Sequence, residues 1–297
     1  MNEDHLIQLA KELSIPVMQI AATAKLLEDG ATVPFISRYR KEATGTLDEV
    51  AITAIRDGLE RLKALDDRRE SIKKSLSERN LLTDELSAAI AAAETLAKLE
   101  DSYQPFKPKR RTRATVAREK GLESLAAFIF ENQSSDCSEK AAEYISAEKD
   151  VPDVAAALAG ARDIIAETIS DDAPARQAMR EYFEQNAVMS SKILTGKEEE
   201  GAKYRDYFNW SESAKTAPSH RILAVRRGEA EGFLIMRVIP EEAPAIEKLK
   251  QMYVKGSGEA AAQVALAVED SYKRLLSPTT ETYMRLELKK RADAEAI

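Results

Sequence analysis

A mainly α-helical fold is what this chain of 297 residues predicts, and three observations predict it. Apolar residues recur at three-and-four spacing through most of the length, as on amphipathic helices. Glycine (11) and proline (10) are few, while charged residues make up 32% and hydrophobic ones 44%, the balance of a folded helical chain rather than a disordered one. One run alone, GFLIMRVI from Gly232 to Ile239, reads convincingly as a strand, so at most one or two short strands are expected.

The elements follow in order. Leu6, Leu9 and Leu13, then Val17, Ile20, Ala24 and Leu27, mark two amphipathic helices, broken at Ser14-Ile15-Pro16 and ended near Gly30. In the next segment Arg38, Arg40 and Lys41 crowd around Tyr39. Such a basic-aromatic group can touch phosphate, but the preferred reading ties one helix to another. Thr46 to Glu49 fits a capping box, in which a threonine oxygen and a glutamate side chain satisfy free N–H groups at a helix start. Behind it Ile52, Ile55, Leu59, Leu62, Leu65, Ile72 and Leu76 form one stripe, predicting a spine helix of roughly 30 residues, about 45 Å long. A second helix is expected from Thr83 to Asp101. Further on come a helix from Pro152 to Ile169, a turn at Ser170 to Pro174 and a helix ending near Gln185. The aromatic-rich KYRDYFNW reads as a helix with buried rings, Pro218 starts another helix, and Lys255 to Gly258 reads as the cap of a long apolar-faced helix rather than as an anion site, since it lacks full phosphate-loop spacing.

Composition also removes function classes. The two histidines, His5 and His220, and the single Cys137 lie far apart, so no metal quartet and no His- or Cys-based nucleophilic triad can be assembled from them. No catalytic residue, metal, cofactor or small-molecule substrate is expected, and the chain reads as non-enzymatic. One cysteine excludes an internal disulfide and argues for a reducing compartment. The N-terminus has no basic region followed by an apolar one, and no apolar run approaches the roughly 20 residues of a membrane helix, so the expected location is the cytoplasm, with no membrane partner.

The candidate site is the stretch from Asp101 to Ala126, where the local charge reverses against a net charge of -7 for the whole chain. Lys107, Lys109, Arg110, Arg111, Arg113, Arg118 and Lys120 stand there with one acid, Glu119, among them. Pro105 and Pro108 hold the first part out of helix, and Leu122, Leu125, Ala126, Ile129 and Phe130 supply an apolar face behind it. The result reads as an arm pinned to a core. An arm of this kind contacts the RNA or DNA phosphate backbone, or it pairs with acidic patches of its own protein. The helix pair around Ser170 to Pro174 suits a helix-turn-helix module, although the candidate second helix carries Glu181 and Glu184 beside Arg176 and Arg180.

Several stretches together resemble the Tex family of bacterial transcription accessory proteins: VPFISRYRKEATGTLDE (33–49), YQPFKPKRRTRATVAREKGLE (103–123), GARDIIAETI (160–169), SSKILTGKEEEGAKYRDYF (190–208), PSHRILAVRRGEAEG (218–232) and LELKKRADAEAI (286–297). The resemblance implies a helical region, 1–105, an inserted helix-turn-helix module, 106–197, and a helical region, 198–297, that packs back on 1–105 and leads to a downstream domain outside this sequence. In the family an RNase H-like domain, helix-hairpin-helix elements and an OB-fold RNA-binding domain follow. The expected function is that of the N-terminal part of a transcription accessory factor with sequence-independent RNA or DNA binding through the basic arm. The alternative is a helical scaffold that contacts RNA polymerase or the rest of its own chain.

Overall fold

The structure, a computed structural model, describes residues 2–108 and 111–295. Among the described residues are sixteen α-helices and one three-stranded sheet, so the protein is mainly α, with one strand more than the sequence led us to expect. The chain divides into two compact units, Met1–Phe106 and Lys107–Ile297.

The first unit is organised along its longest helix. It holds α1 (Glu3–Leu13), α2 (Val17–Glu28), α3 (Val33–Tyr39), α4 (Lys41–Thr44), α5 (Glu49–Glu78), α6 (Asp84–Ala92) and α7 (Leu96–Tyr103). Helix α5 has the 30 residues its apolar stripe predicts. Three apolar clusters are strung along it: Ile52 meets Val33 and Ile36, Ile55 and Leu62 meet Leu6, Leu9 and Ile20, and Leu65, Ile72 and Leu76 meet Ile90, Leu99 and Tyr103. Its start differs in one detail from the expected capping box. Asp48 is the N-cap, its carboxylate accepting from the Ala51 amide at 2.8 Å, while Thr46 takes a left-handed conformation at φ 67° and turns its hydroxyl to the Gly45 carbonyl. An aspartate one residue before the helix competes better for the free amides than a threonine three residues before it. The single helix expected after Thr83 is two helices, because Thr95 caps α7 by accepting from the Lys98 amide. Arg69 of α5 also donates to the carbonyls of Ile90 and Ala93 at 3.2 and 2.7 Å, ending α6 there.

The second unit contains α8 (Arg113–Glu119), α9 (Glu123–Glu131), α10 (Ser138–Ala142), α11 (Val154–Asp171), α12 (Ala173–Asn186), β1 (Val188–Ile193), β2 (Asn209–Ser213), α13 (Ser219–Ala230), β3 (Leu234–Ile239), α14 (Glu242–Tyr253), α15 (Glu259–Asp270) and α16 (Ser277–Glu295). One apolar core runs from Ala114 to Ala292, with α11 at its centre against α8, α9, α12 and α15. The core has members on both sides of Lys197, among them Met189 and Tyr204. Between α15 and α16 the helix widens into a π-helical turn over Ser271–Leu276. Pro278 has no N–H to give the Arg274 carbonyl, and just beyond it the hydroxyls of Thr279 and Thr280 donate to the Leu275 and Leu276 carbonyls, each at 2.7 Å.

The sheet has the order β2-β1-β3, antiparallel throughout, with Ser191 opposite both Trp210 and Met236. The expected strand is β3, whose alternation buries Leu234, Met236 and Val238. Its partner β1 is in this chain. The other edge of β3 is closed by side chains: the amides of Met236 and Val238 donate to Glu229 and Glu281 at 3.2 and 2.9 Å, and the Met236 carbonyl accepts from Arg285 at 2.7 Å. The segment KYRDYFNW is a 3₁₀ turn, Ala202–Tyr207, running into β2 rather than a helix. Its Tyr204 is buried, as the burial reading of these rings expects.

Candidate nucleic-acid interface

The basic stretch begins after a short 3₁₀ turn, Gln104–Phe106, where the two prolines forbid α-helix. Helix α8 then starts at a threonine cap, Thr112, whose hydroxyl accepts from the Thr115 amide at 3.1 Å. Ala114 and Ala117 form its buried face. Gly160 of α11 makes room for the turn that follows α8: a Cβ there would stand 2.3 Å from a methyl carbon of Leu122 and 3.4 Å from the Cβ of Ala117. Gly121, at φ +80°, makes the turn into α9. The expected picture of a pinned arm therefore has a physical basis in two alanines, two glycines and a cap.

The cations of the arm have acidic company from their own unit. Arg111 is paired with Glu119 at 2.7 Å, at the surface. The Arg118 guanidinium lies 2.7 Å from Glu167 of α11 and 3.5 Å from Glu123. Glu167 also accepts from the Thr112 hydroxyl at 2.9 Å, so one carboxylate ties both ends of α8 to α11. Lys120 donates to the carboxylate and the carbonyl of Asp150, both at 2.8 Å. Arg113 is exposed on the first turn of α8, and its positive charge helps hold down the Asp163 pKa, which burial pushes up. Lys107 is exposed at the entry. Lys109 and Arg110 lie outside the described residues. The structure thus brings Arg111, Arg113, Arg118 and Lys120 to one helix and its flanks, with Arg111, Arg118 and Lys120 each paired to a carboxylate. At a surface, pairs such as Arg111–Glu119 and Lys120–Asp150 contribute only about 0.2–1 kcal/mol each, so a phosphate can exchange for them, whereas Arg118 is held by the buried Glu167.

Two short connections give the second unit its helix pairs: three residues, 120–122, between α8 and α9, and Asp172 alone between α11 and α12. Asp172 is held by the Tyr253 hydroxyl, whose pKa rises because burial and the neighbouring carboxylate both disfavour its anion. In α12 the residues Ala175, Met179 and Phe183 are buried, α16 packs alongside, and the Arg180 guanidinium sits 5.9 Å from the centre of the Tyr283 ring.

The glycine turn before α15 is filled by protein. The amides of Gly258 and Ala261 donate to the Gln133 carbonyl and that of Ala260 to Ser135, each at 3.2 Å. A Cβ on Gly256 would stand 2.7 Å from the Gln133 carbonyl oxygen. This is the structural reading of that turn, with backbone in the place an anion would take. Cys137 is buried beside Glu259, and burial first, then that carboxylate, pushes its thiol up to about 11, far from a reactive thiolate. Among the described residues no group of three or more His, Cys, Asp or Glu side chains is placed to hold a metal ion. A cavity of about 480 Å³ in the first unit, between α1, α2 and α5, contains a His5–Asp66 contact of 2.7 Å. Among the described residues no helix is long and apolar enough to cross a membrane.

Fold and site together define a mainly α-helical protein in two units whose candidate contacts are surface clusters of charge and aromatic rings. Family comparison carries this further: residues 3–77 match the Tex-like protein N-terminal domain and residues 132–297 the Tex central region. The chain belongs to the Tex family. It is 47% identical over 231 residues to Protein tex of Bordetella pertussis, covering 78% of this chain and 29% of that protein. With the transcriptional accessory protein Tex of Neisseria gonorrhoeae it shares 42% identity over 242 residues, 81% of this chain and 32% of the relative. The human S1 RNA-binding domain-containing protein 1 is 25% identical over 314 residues, 100% of this chain and 31% of the relative. The chain thus spans about a third of the length of these relatives. The basic arm falls between the two matched regions.

Sequence reasoning missed the partners of the arm. Glu167 lies 49 residues from Arg118, and Asp150 lies 30 from Lys120. A local signal existed for the contacts of Arg111 with Glu119 and of Arg118 with Glu123, which lie eight and five residues apart.

Proposed function

We propose that this chain is the N-terminal part of a transcription accessory factor, without enzymatic activity, whose basic arm gives a supporting, sequence-independent contact to the phosphate backbone of RNA or DNA. The observation that carries the reading is the group Arg111, Arg113, Arg118 and Lys120 on and around α8, in a chain of net charge -7. Arg111 keeps 69% of its side chain exposed while paired, so its guanidinium is available for exchange onto a phosphate. The names of two relatives support this reading, a transcriptional accessory protein for the role and an S1 RNA-binding domain-containing protein for the class of ligand. The helix-turn-helix reading of 106–197 and a cytoplasmic location belong to this proposal.

The test is binding of labelled single- and double-stranded RNA and DNA across a salt series, for the parent chain and for Arg111→Glu/Arg113→Glu. Counterion release makes affinity fall with salt, and removing two phosphate contacts lowers the slope of log K on log salt by about one to two. Absence of binding at low salt, or equal slopes for both proteins, would refute the arm as a phosphate contact. A second reading has its own observation in the ion pairs of Arg118 with Glu167 and Lys120 with Asp150, which spend the arm's charge inside the unit. On that reading the chain is a helical scaffold for protein contact, with RNA polymerase as the partner, and it predicts polymerase capture that survives the double substitution.

A further inference from the structure

The spacing of the other basic-aromatic group, Val33 to Ala43, predicts a tie between helices, and Arg40 at the start of α4 does rest over the Phe35 ring of α3, while both rings stay exposed. Val33 and Ile36 take the inward face of α3, against Ile52, while Phe35 and Tyr39 face water, 41% and 70% exposed. Their ring centres are 5.4 Å apart with planes tilted by 42°. The Arg40 guanidinium lies 5.5 Å from the centre of the Phe35 ring. Arg38 and Lys41 are exposed beside them, and among the described residues none of Arg38, Arg40 and Lys41 has a carboxylate partner. Residues 33–47 contain one acid, Glu42. In the arm around α8, by contrast, Arg111, Arg118 and Lys120 each have a carboxylate within 2.8 Å.

The group is also held in place. The Thr32 hydroxyl caps α3 through the Phe35 amide at 3.4 Å. Buried Thr44 donates through its amide and its hydroxyl to the Arg40 carbonyl, at 3.1 and 3.2 Å, and the Thr46 amide donates to the Lys41 carbonyl at 2.8 Å. Backbone fixed in this way presents the rings and the cations together, with little ordering left for a ligand to impose.

We propose that α3 and α4 form a stacking platform for single-stranded nucleic acid, with Phe35 and Tyr39 taking base faces and Arg38, Arg40 and Lys41 the phosphates. Two features select this ligand. Cations without a carboxylate partner call for a polyanion, and exposed rings call for flat rings; a single strand alternates the two along its length. An acidic peptide would answer the charges but leave the ring faces in water. A duplex offers phosphates but keeps its bases stacked on one another. The proposal shares the ligand class of the reading above and uses no residue of the basic arm.

The test measures fluorescence anisotropy of a labelled oligouridylate and of a blunt RNA duplex with the parent chain, with Phe35→Ala/Tyr39→Ala, with Tyr39→Phe and with Arg38→Glu/Lys41→Glu. All substituted side chains are exposed, and circular dichroism checks that each protein is folded. Loss of the two rings is expected to weaken single-strand binding about fivefold or more, the effect of losing at least one stacked base. Duplex binding should fall far less, Tyr39→Phe should bind as the parent does, and the charge reversal should weaken both ligands. Unchanged single-strand affinity in the ring variant overturns the proposal. So does an equal loss on strand and duplex, which would mean phosphate contact alone, and so does unchanged nucleic-acid binding with lost capture of purified RNA polymerase, which would make the surface a protein contact. Failure here with a lost salt slope in Arg111→Glu/Arg113→Glu leaves the arm reading standing; the reverse pattern leaves the platform standing. No binding by the parent chain ends both.

Discussion

Glu259 and Glu167 carry more of the second unit than their positions on helix surfaces suggest. Glu259, the first residue of α15, accepts from the amides of Cys137 and Ser138 at 3.1 and 3.2 Å and from the Ser138 hydroxyl at 2.7 Å, capping α10 from 121 residues away. The Ser138 hydroxyl is the largest cause holding its carboxyl down at about 2. The folded-state pKa lies below the ordinary 4.5, so the stabilisation is complete above about pH 4.5 and is lost as pH falls through about 2. We predict that thermal unfolding of the parent chain loses stability over that interval and that Glu259→Gln flattens the profile there. A variant with the parent's acid limb would show that the cap does not contribute. Glu167 uses the same device on the arm, one carboxylate serving a threonine cap and an arginine. At Phe35 and Tyr39 the residue types were legible from the start, but their outward direction was not, because a three-and-four pattern of mixed aromatic and aliphatic residues does not say which of two faces meets the core.

At the scale of elements, the sheet depends on helices. Strand β3 has one partner strand, and its open edge would offer free amides to any other chain. Glu281 of α16, Glu229 of α13 and Arg285 of α16 cover that edge, and Glu281 also lies 2.9 Å from Arg237. Removing the carboxylate leaves the Val238 amide buried without an acceptor, so Glu281→Ala is expected to cost about 1–3 kcal/mol in denaturant unfolding. A smaller change than about 0.5 kcal/mol, the usual range for a surface substitution, would mean that the edge is satisfied another way. Strand β3 could be seen in the sequence because Leu, Ile, Met and Val alternate with a clear inward set. Strands β1, VMSSKI, and β2, NWSES, could not: the one has two central serines and the other no β-branched residue, so pairing with neighbours makes them strands, not propensity. The same holds for the end of α6, set by Arg69 from α5.

For the whole molecule, the division into two units with separate apolar clusters has a measurable consequence. Scanning calorimetry of the parent chain is expected to depart from a single two-state transition, with Glu281→Ala moving only the part that belongs to residues 107–297. One transition with equal calorimetric and van't Hoff enthalpies would contradict it. Helical class, the 30-residue spine and the break at the two prolines are written in local pattern, because periodicity, capping residues and proline act within a few residues. So is the reversal of charge at the arm, since it needs only a count. Which acids that charge meets and which rings remain in water were decided by contacts between residues tens of positions apart. Arg118 and Lys120 of the arm found carboxylates on α11 and in the loop before it. Those around Tyr39 found none among the described residues, and only the packing of Val33 and Ile36 inward put the rings beside them.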